Sequence, residues 1–195
     1  MRALTAALLV AAAAMGGVLA YHSLAPQPLH GTALDAARPL PAVTLTRDDG
    51  QAVNFAATDG RARLVFFGYT RCPDVCPATL GVLARTYEAL TPEQRGQLQV
   101  QLVSVDPTFD TPAVLRRYLN AFDPAFRGYT GAPAQITAAE KAMFVYAVKG
   151  TGADVIVHGD TVALVNRAGQ FVRVYDGDAV TRGELAQDLP QLLRN

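Results

Sequence analysis

The sequence predicts an α/β fold in which a parallel strand–helix–strand unit is followed by an antiparallel hairpin and a closing helix. Three observations carry this. The run Leu64-Val65-Phe66-Phe67 is continuously apolar and bounded by Gly60 and Gly68, as suits a central strand covered on both faces. Leu80, Leu83, Tyr87 and Leu90 then recur at helical spacing, and a second apolar strand follows over residues 100–105. Later, residues 162–165 and 171–175 flank the turn sequence Asn166-Arg167-Ala168-Gly169, which reads as a hairpin.

Taken in chain order, residues 1–21 come first. They carry one charge, Arg2, and then an unbroken run of apolar or small residues with no polar face. This is a membrane anchor or an export signal: about 20 such residues would span a bilayer, and Val18-Leu19-Ala20 offers the small residues of a cleavage site. No cysteine follows the run, so lipid attachment there is excluded, and Arg2 on the inner side would place the remainder outside the cytoplasm. Residues 22–40, with Pro26, Pro28, Pro39 and Gly31 and little periodicity, read as an extended tether carrying His22 and His30. The folded domain is expected over residues 41–195.

That domain opens with a hairpin, residues 42–45 and 53–55 around Asp49-Gly50. Past the strand–helix–strand unit, Thr111 caps a helix with Pro112 at its first position and Val114, Leu115, Tyr118, Leu119 and Phe122 on one face. Thr137 with Glu140, and Thr181 with Glu184, have the spacing of capping boxes for the next helix and the last. This order is that of a thioredoxin-like fold with an N-terminal hairpin and an inserted strand and helix across roughly residues 127–149.

Composition narrows the function. The 195 residues are half apolar, with 17 basic and 17 acidic side chains, enough for one full domain with no net charge. Nucleic acid is an unfavoured partner, since the densest cationic spot is the pair Arg116-Arg117. Two cysteines cannot build a disulfide scaffold, so their value lies in reactivity or metal binding.

Cys72 and Cys76 lie in Gly68-Tyr69-Thr70-Arg71-Cys72-Pro73-Asp74-Val75-Cys76-Pro77, between the first buried strand and the helix it feeds. An open α/β sheet binds ligands at that position. Spacing of four brings both sulfurs to one side, and the helix N-terminus should make both thiols ionise more readily. The pair forms either a disulfide or a soft-metal site. Thioredoxin-type redox enzymes use two intervening residues and a cis-proline ahead of the hairpin; here three residues intervene and the hairpin is preceded by Val157-His158-Gly159-Asp160-Thr161. An imidazole added to two thiolates makes a ligand set that suits Cu(I).

These stretches, together with Val105-Asp106-Pro107-Thr108-Phe109-Asp110-Thr111-Pro112, resemble the Sco/SenC family from about Pro41 to the C-terminus. That family consists of membrane-anchored copper proteins that assist assembly of the copper A centre of cytochrome c oxidase. The resemblance implies copper, as Cu(I) with Cu(II) as a further state, held by Cys72, Cys76 and His158. It implies as partners the copper A subunit of the oxidase and other copper chaperones or thiol reductants, with the domain on the periplasmic side of a membrane or secreted after cleavage. The family usually has Asp-His-Ser where this chain has Val157-His158-Gly159, and Asp-Pro where it has Asn166-Arg167.

Alternatives follow from the same residues. A thiol-disulfide reductase would use Cys72 as the exposed attacking thiol and Cys76 as the resolving one. A peroxidase is disfavoured because Thr70-Arg71-Cys72 departs from the Thr-x-x-Cys pattern, and catalytic zinc lacks an obvious general base. Asp74 reads as a solvated turn residue, Asp106 and Asp110 as loop-shaping and capping groups. Tyr69 and Phe109 are candidates for shielding the site or for core packing.

Overall fold

The computed structural model describes residues 13–17, 28–149 and 156–194, with the side chains of 148, 149, 157 and 158 outside that description. At its centre is β4 (Ala62–Gly68), buried at every position. It pairs in parallel with β5 (Leu98–Ser104), which pairs in parallel with β6 (Arg127–Thr130). On the other side of β4 lie the antiparallel strands β9 (Val162–Val165) and β10 (Gln170–Tyr175). β1 (Thr32–Pro39) closes that edge, while β2 (Thr44–Arg47) and β3 (Ala52–Asn54) close the opposite one. Among the described residues the order is β1-β10-β9-β4-β5-β6-β2-β3, and β7 (Ala147–Lys149) pairs separately with β8 (Ile156–His158).

Alternate side chains of β4 and β5 feed two cores, which is why those runs are apolar throughout. Leu64, Phe66, Val100 and Leu102 meet Leu80 and Leu83 of α1 (Val75–Ala89), Leu115 and Leu119 of α3 (Pro112–Leu119), and Leu185 and Leu189 of α6 (Glu184–Leu192). Val65, Phe67 and Val103 instead meet Leu45, Phe55, Phe171 and Ile136, the last from α4 (Pro133–Ala142). Each such side chain, fully buried, contributes roughly 1.5–3 kcal/mol. Two short helices, α2 (Pro92–Gly96) and α5 (Gly177–Thr181), complete the chain. The thioredoxin-like α/β architecture expected from the sequence is present, including the N-terminal hairpin, the inserted β6 and α4, and the β9–β10 hairpin turned by Gly169 at φ 78°.

Three expectations need correction. The tether was expected to run to residue 40, yet Thr32–Pro39 is a strand, because β10 supplies a hydrogen-bonding edge from 140 positions away in sequence, as in Ala33↔Arg173. His30 is likewise fixed, its Nδ1 lying 2.8 Å from Asp188 Oδ1, while Tyr175 donates to the other carboxylate oxygen at 2.7 Å. Neither expected capping box exists. Helix α4 starts at Pro133 after Ala132, so Thr137 falls inside it; the helices around residue 182 are separated by Gly183 at φ 78°, and the Thr181 hydroxyl turns back to donate to Asp178 O at 3.0 Å. Arg116, one of the two residues of the densest cationic spot, is engaged within the fold. It pairs with buried Asp48, which also accepts from Gly128 N at 3.0 Å, clamping the β2–β3 hairpin to α3 and β6.

The expected leader lies outside the described residues except for a helical turn at 13–17, and no described helix is long and apolar enough to cross a membrane.

Candidate metal centre

The chain leaves β4 at Gly68 and makes one tight turn before α1. Cys72 N donates to Tyr69 O at 3.2 Å, closing that turn. Helix α1 begins at Val75, so Cys76 sits in its first turn, where amide N–H groups lack intrahelical acceptors. The Cys76 amide therefore points to the Cys72 sulfur, at 3.4 Å. No disulfide joins the two. Cys72 is partly exposed and Cys76 fully buried, packed so closely under β4 that a Cβ on Gly68 would lie 2.9 Å from its Sγ. Any larger residue at 68 would push the sulfur out of place.

Burial reverses one expectation. The helix N-terminus was expected to acidify both thiols, but burial pushes the Cys76 thiol well above its ordinary value, and a backbone hydrogen bond at Tyr69 opposes this only in part. Cys76 therefore stays a neutral thiol until something replaces its proton. The helix-start donor serves Cys72 instead.

The turn is held from outside by the loop after β5, the segment quoted above as Val105 to Pro112. Asp110, fully buried, accepts from Thr70 N at 3.1 Å, Thr70 Oγ1 at 2.5 Å and Ser104 Oγ at 2.6 Å. Asp106 accepts from Arg71 Nη2 at 2.6 Å and Thr108 Oγ1 at 2.9 Å, and its own amide donates to Ser104 Oγ at 3.0 Å. The two motifs that carry the family resemblance are thus one hydrogen-bonded unit. Arg71 also lies over Phe109, 4.3 Å from the ring centroid, so Phe109 is a half-exposed platform for the guanidinium and no part of the core. Asp74 is exposed at the helix N-cap and makes no side-chain capping bond, in line with a solvated turn residue.

Two groups carry roles that the sequence did not disclose. Tyr69 is buried, and its hydroxyl accepts from Ile156 N at 3.2 Å, tying the cysteine turn to strand β8 two residues before His158. Tyr118 of α3 packs against the cluster containing Cys76, as Cys72 does, and its buried hydroxyl meets no acceptor among the described residues. Burial first, then the neighbouring Cys76, Cys72 and Asp110, push that phenol upward. Its helical spacing had marked it only as a core residue. His158 itself is placed by its backbone, paired with Ala147 across the β7–β8 ladder, and its side chain lies outside the described residues. Cys72 and Cys76 are brought together; among the described residues, which leave out the His158 imidazole, there is no group of three metal-binding side chains.

The SCO1/SenC family profile matches residues 33–194. The chain belongs to the SCO1/SenC family. That match begins within β1, ahead of the boundary at residue 41 expected from the sequence. The SCO1/SenC domain is 35% identical over 161 residues to a protein of Stutzerimonas stutzeri named for copper binding, covering 81% of this chain and 78% of that one. Apo Sco1 from Thermus thermophilus has the same fold, with a TM-score of 0.75 and 35% identity over 86% of this chain and 99% of that one. ScoI of Bradyrhizobium japonicum, solved with copper bound, aligns at a TM-score of 0.68 and 33% identity, covering 78% and 98%.

Proposed function

We propose that this SCO1/SenC domain binds copper through Cys72, Cys76 and His158 and delivers it as cargo to the copper A site of cytochrome c oxidase during assembly. The observation that carries the reading is the cysteine turn. Two sulfurs meet at one helix start, and the same turn is tied through Tyr69 to the strand bearing His158. Two soft donors and a borderline one match Cu(I), with Cu(II) as a second state that depends on the imidazole. The copper-related relatives support the metal.

The unequal thiols give the exchange a direction. Cys72 is the accessible donor where a metal arrives or departs, and Cys76 loses its proton only as the metal binds, so loading releases protons. The partner on this reading is the copper A subunit, with residues 1–21 anchoring the domain outside the cytoplasm or being cleaved there. Residues between that leader and β1 form the tether, shorter than 22–40.

A second reading is favoured by one observation, the exposure contrast between Cys72 and Cys76, which suits an attacking and a resolving thiol. In this reading the domain reduces the acceptor's cysteines, an activity that a copper-loaded molecule cannot perform with the same sulfurs.

The test is Cu(I) titration of the reduced full chain in detergent against a competing chelator. Near-unit stoichiometry is expected, with loss of tight binding in Cys72→Ser and Cys76→Ser. His158→Ala should keep weakened Cu(I) binding and lose any Cu(II) absorption band. Full Cu(I) binding by both cysteine variants would overturn the site; an unchanged Cu(II) spectrum would remove His158 from it.

A further inference from the structure

Tyr69 touches every part of the chain that carries a proposed ligand. Its carbonyl accepts from Cys72 N at 3.2 Å, and a backbone hydrogen bond from it reaches the Cys76 thiol. Its hydroxyl accepts from Ile156 N at 3.2 Å, two residues before His158 on β8. The ring between these contacts is 2% exposed and belongs to the same core cluster as Cys76. Core packing accounts for the ring. It does not account for a hydroxyl that holds a backbone amide 87 positions away.

That bond matters because of what β8 belongs to. β7 and β8 form a two-stranded ladder separate from the eight-stranded sheet, and a two-stranded hairpin by itself is marginal in water. Ile156 directs its amide away from β7 to Tyr69, so the outer edge of β8 is the one next to the cysteine turn. The Ile156 side chain touches the core cluster, yet a cleft of about 160 Å³ separates Ala147 and Ile156 from Val105, Pro107 and Ile136 of the body. At about 30 Å³ per water, that is room for roughly five waters. Where side chains do not interdigitate fully, a specific hydrogen bond sets the spacing of two elements.

We propose that Tyr69 is a positioning residue for the metal centre: by holding Ile156 N, its hydroxyl sets the spacing between the cysteine turn and His158, and so decides whether the site takes Cu(II) as well as Cu(I). This rests on the copper reading above. Two thiolates satisfy low-coordinate Cu(I) by themselves, whereas Cu(II) calls on the borderline imidazole. Loosening β8 therefore costs Cu(II) far more than Cu(I). The bond joins two parts of the protein itself, so it can be read without metal.

The test compares Tyr69→Phe with the parent, both as the reduced full chain in detergent. The variant keeps the ring in the core and both backbone contacts to the cysteines, and deletes the acceptor of Ile156 N. Without metal, hydrogen exchange at Ile156 N should quicken by about tenfold or more, with the amides of β4 and β5 unchanged. With copper added anaerobically, Cu(I) affinity against a competing chelator should change by less than about threefold. Cu(II) affinity, read from its absorption band and the nitrogen couplings in its paramagnetic resonance, should fall by about tenfold or more. Ile156→Pro deletes the donor of the same bond at an outer edge, where proline is tolerated, and should show the same selective loss. It carries the test if Tyr69→Phe does not fold, and circular dichroism checks both. A purely structural role would weaken the two oxidation states alike. Equal losses of Cu(I) and Cu(II) in a folded variant, an unchanged Cu(II) spectrum, or unchanged exchange at Ile156 in Tyr69→Phe would overturn the inference. A parent chain that binds neither ion would overturn the copper reading and the inference together, so the parent alone tells the two failures apart.

Discussion

Cys72 and Cys76 have the same chemistry four positions apart and different surroundings. The sequence places both at a helix start, and that alone argues for two acidic thiols. Burial under Gly68 decides otherwise for Cys76, because removing a sulfur from water opposes its charge more than one aligned amide supports it. Burial depth is a tertiary property, set by how closely α1 approaches β4, and no local spacing reports it. In the reduced protein without metal, a small alkylating reagent should therefore modify Cys72 first and leave Cys76 protected by at least about tenfold, a contrast that denaturant removes. Equal labelling of the two by peptide mass spectrometry would contradict the geometry. Asp110 has the opposite history: the sequence marks it as a capping or loop residue, and it is the hub for three donors. Asp110→Ala leaves the Thr70 amide and the hydroxyl hydrogens of Thr70 and buried Ser104 without their acceptor, Ser104 Oγ still accepting from Asp106 N. A loss of about 3 kcal/mol in urea unfolding is expected, against about 1 kcal/mol for removing the Thr111 cap. A loss below 1 kcal/mol for Asp110→Ala would mean that the loop rebuilds those bonds.

Elements are legible where one residue fixes a boundary. Pro112 after Thr111 defines the start of α3, and the Thr111 hydroxyl does accept from Val114 N. The same logic applied to Thr137 and Glu140 fails because Pro133, four residues earlier, already starts α4, so a capping pattern read without its neighbours lands in a helix interior. Glu140 is then 8% exposed, beside the cleft formed by Val105, Ile136, Ala147 and Ile156, and burial raises its pKa above the ordinary 4.5. The sign of the pH effect follows. Between the unfolded and folded pKa values the unfolded chain has released this proton and the folded chain still holds it, so stability falls as pH rises through that window and stays lower above it. Glu140→Gln removes the fall. The variant should match the parent near pH 4 and exceed it by about 1 kcal/mol at pH 7. A variant no more stable than the parent at pH 7, measured by urea midpoints at both pH values, would show that the carboxylate has a favourable partner when ionised.

At the scale of the whole molecule, the parallel core announces itself because β4 and β5 are apolar on both faces. The placing of edges does not, since an edge strand needs a partner more than a pattern. β1 is almost entirely exposed and rich in residues that suit a linker, so nothing within 22–40 separates strand from tether. Its pairing with β10 and the His30–Asp188–Tyr175 chain are contacts between the two ends of the sequence. Removing all residues before 41 uncovers the β10 edge and, with His30 gone, strips Asp188, itself 4% exposed, of one of its hydrogen-bond partners. A chain starting at residue 41, the boundary read from sequence, should therefore unfold at lower urea than one starting at residue 28, by about 2–4 kcal/mol in stability. His30→Ala in the longer chain should reproduce only the Asp188 share, about 1–2 kcal/mol. The difference between the two variants is what the β1–β10 ladder contributes together with the buried Leu40 side chain and the Arg173 bonds to His30 O and Gly31 O. Equal urea midpoints for chains starting at 28 and 41 would return residues 32–39 to the tether and leave the sheet ending at β10.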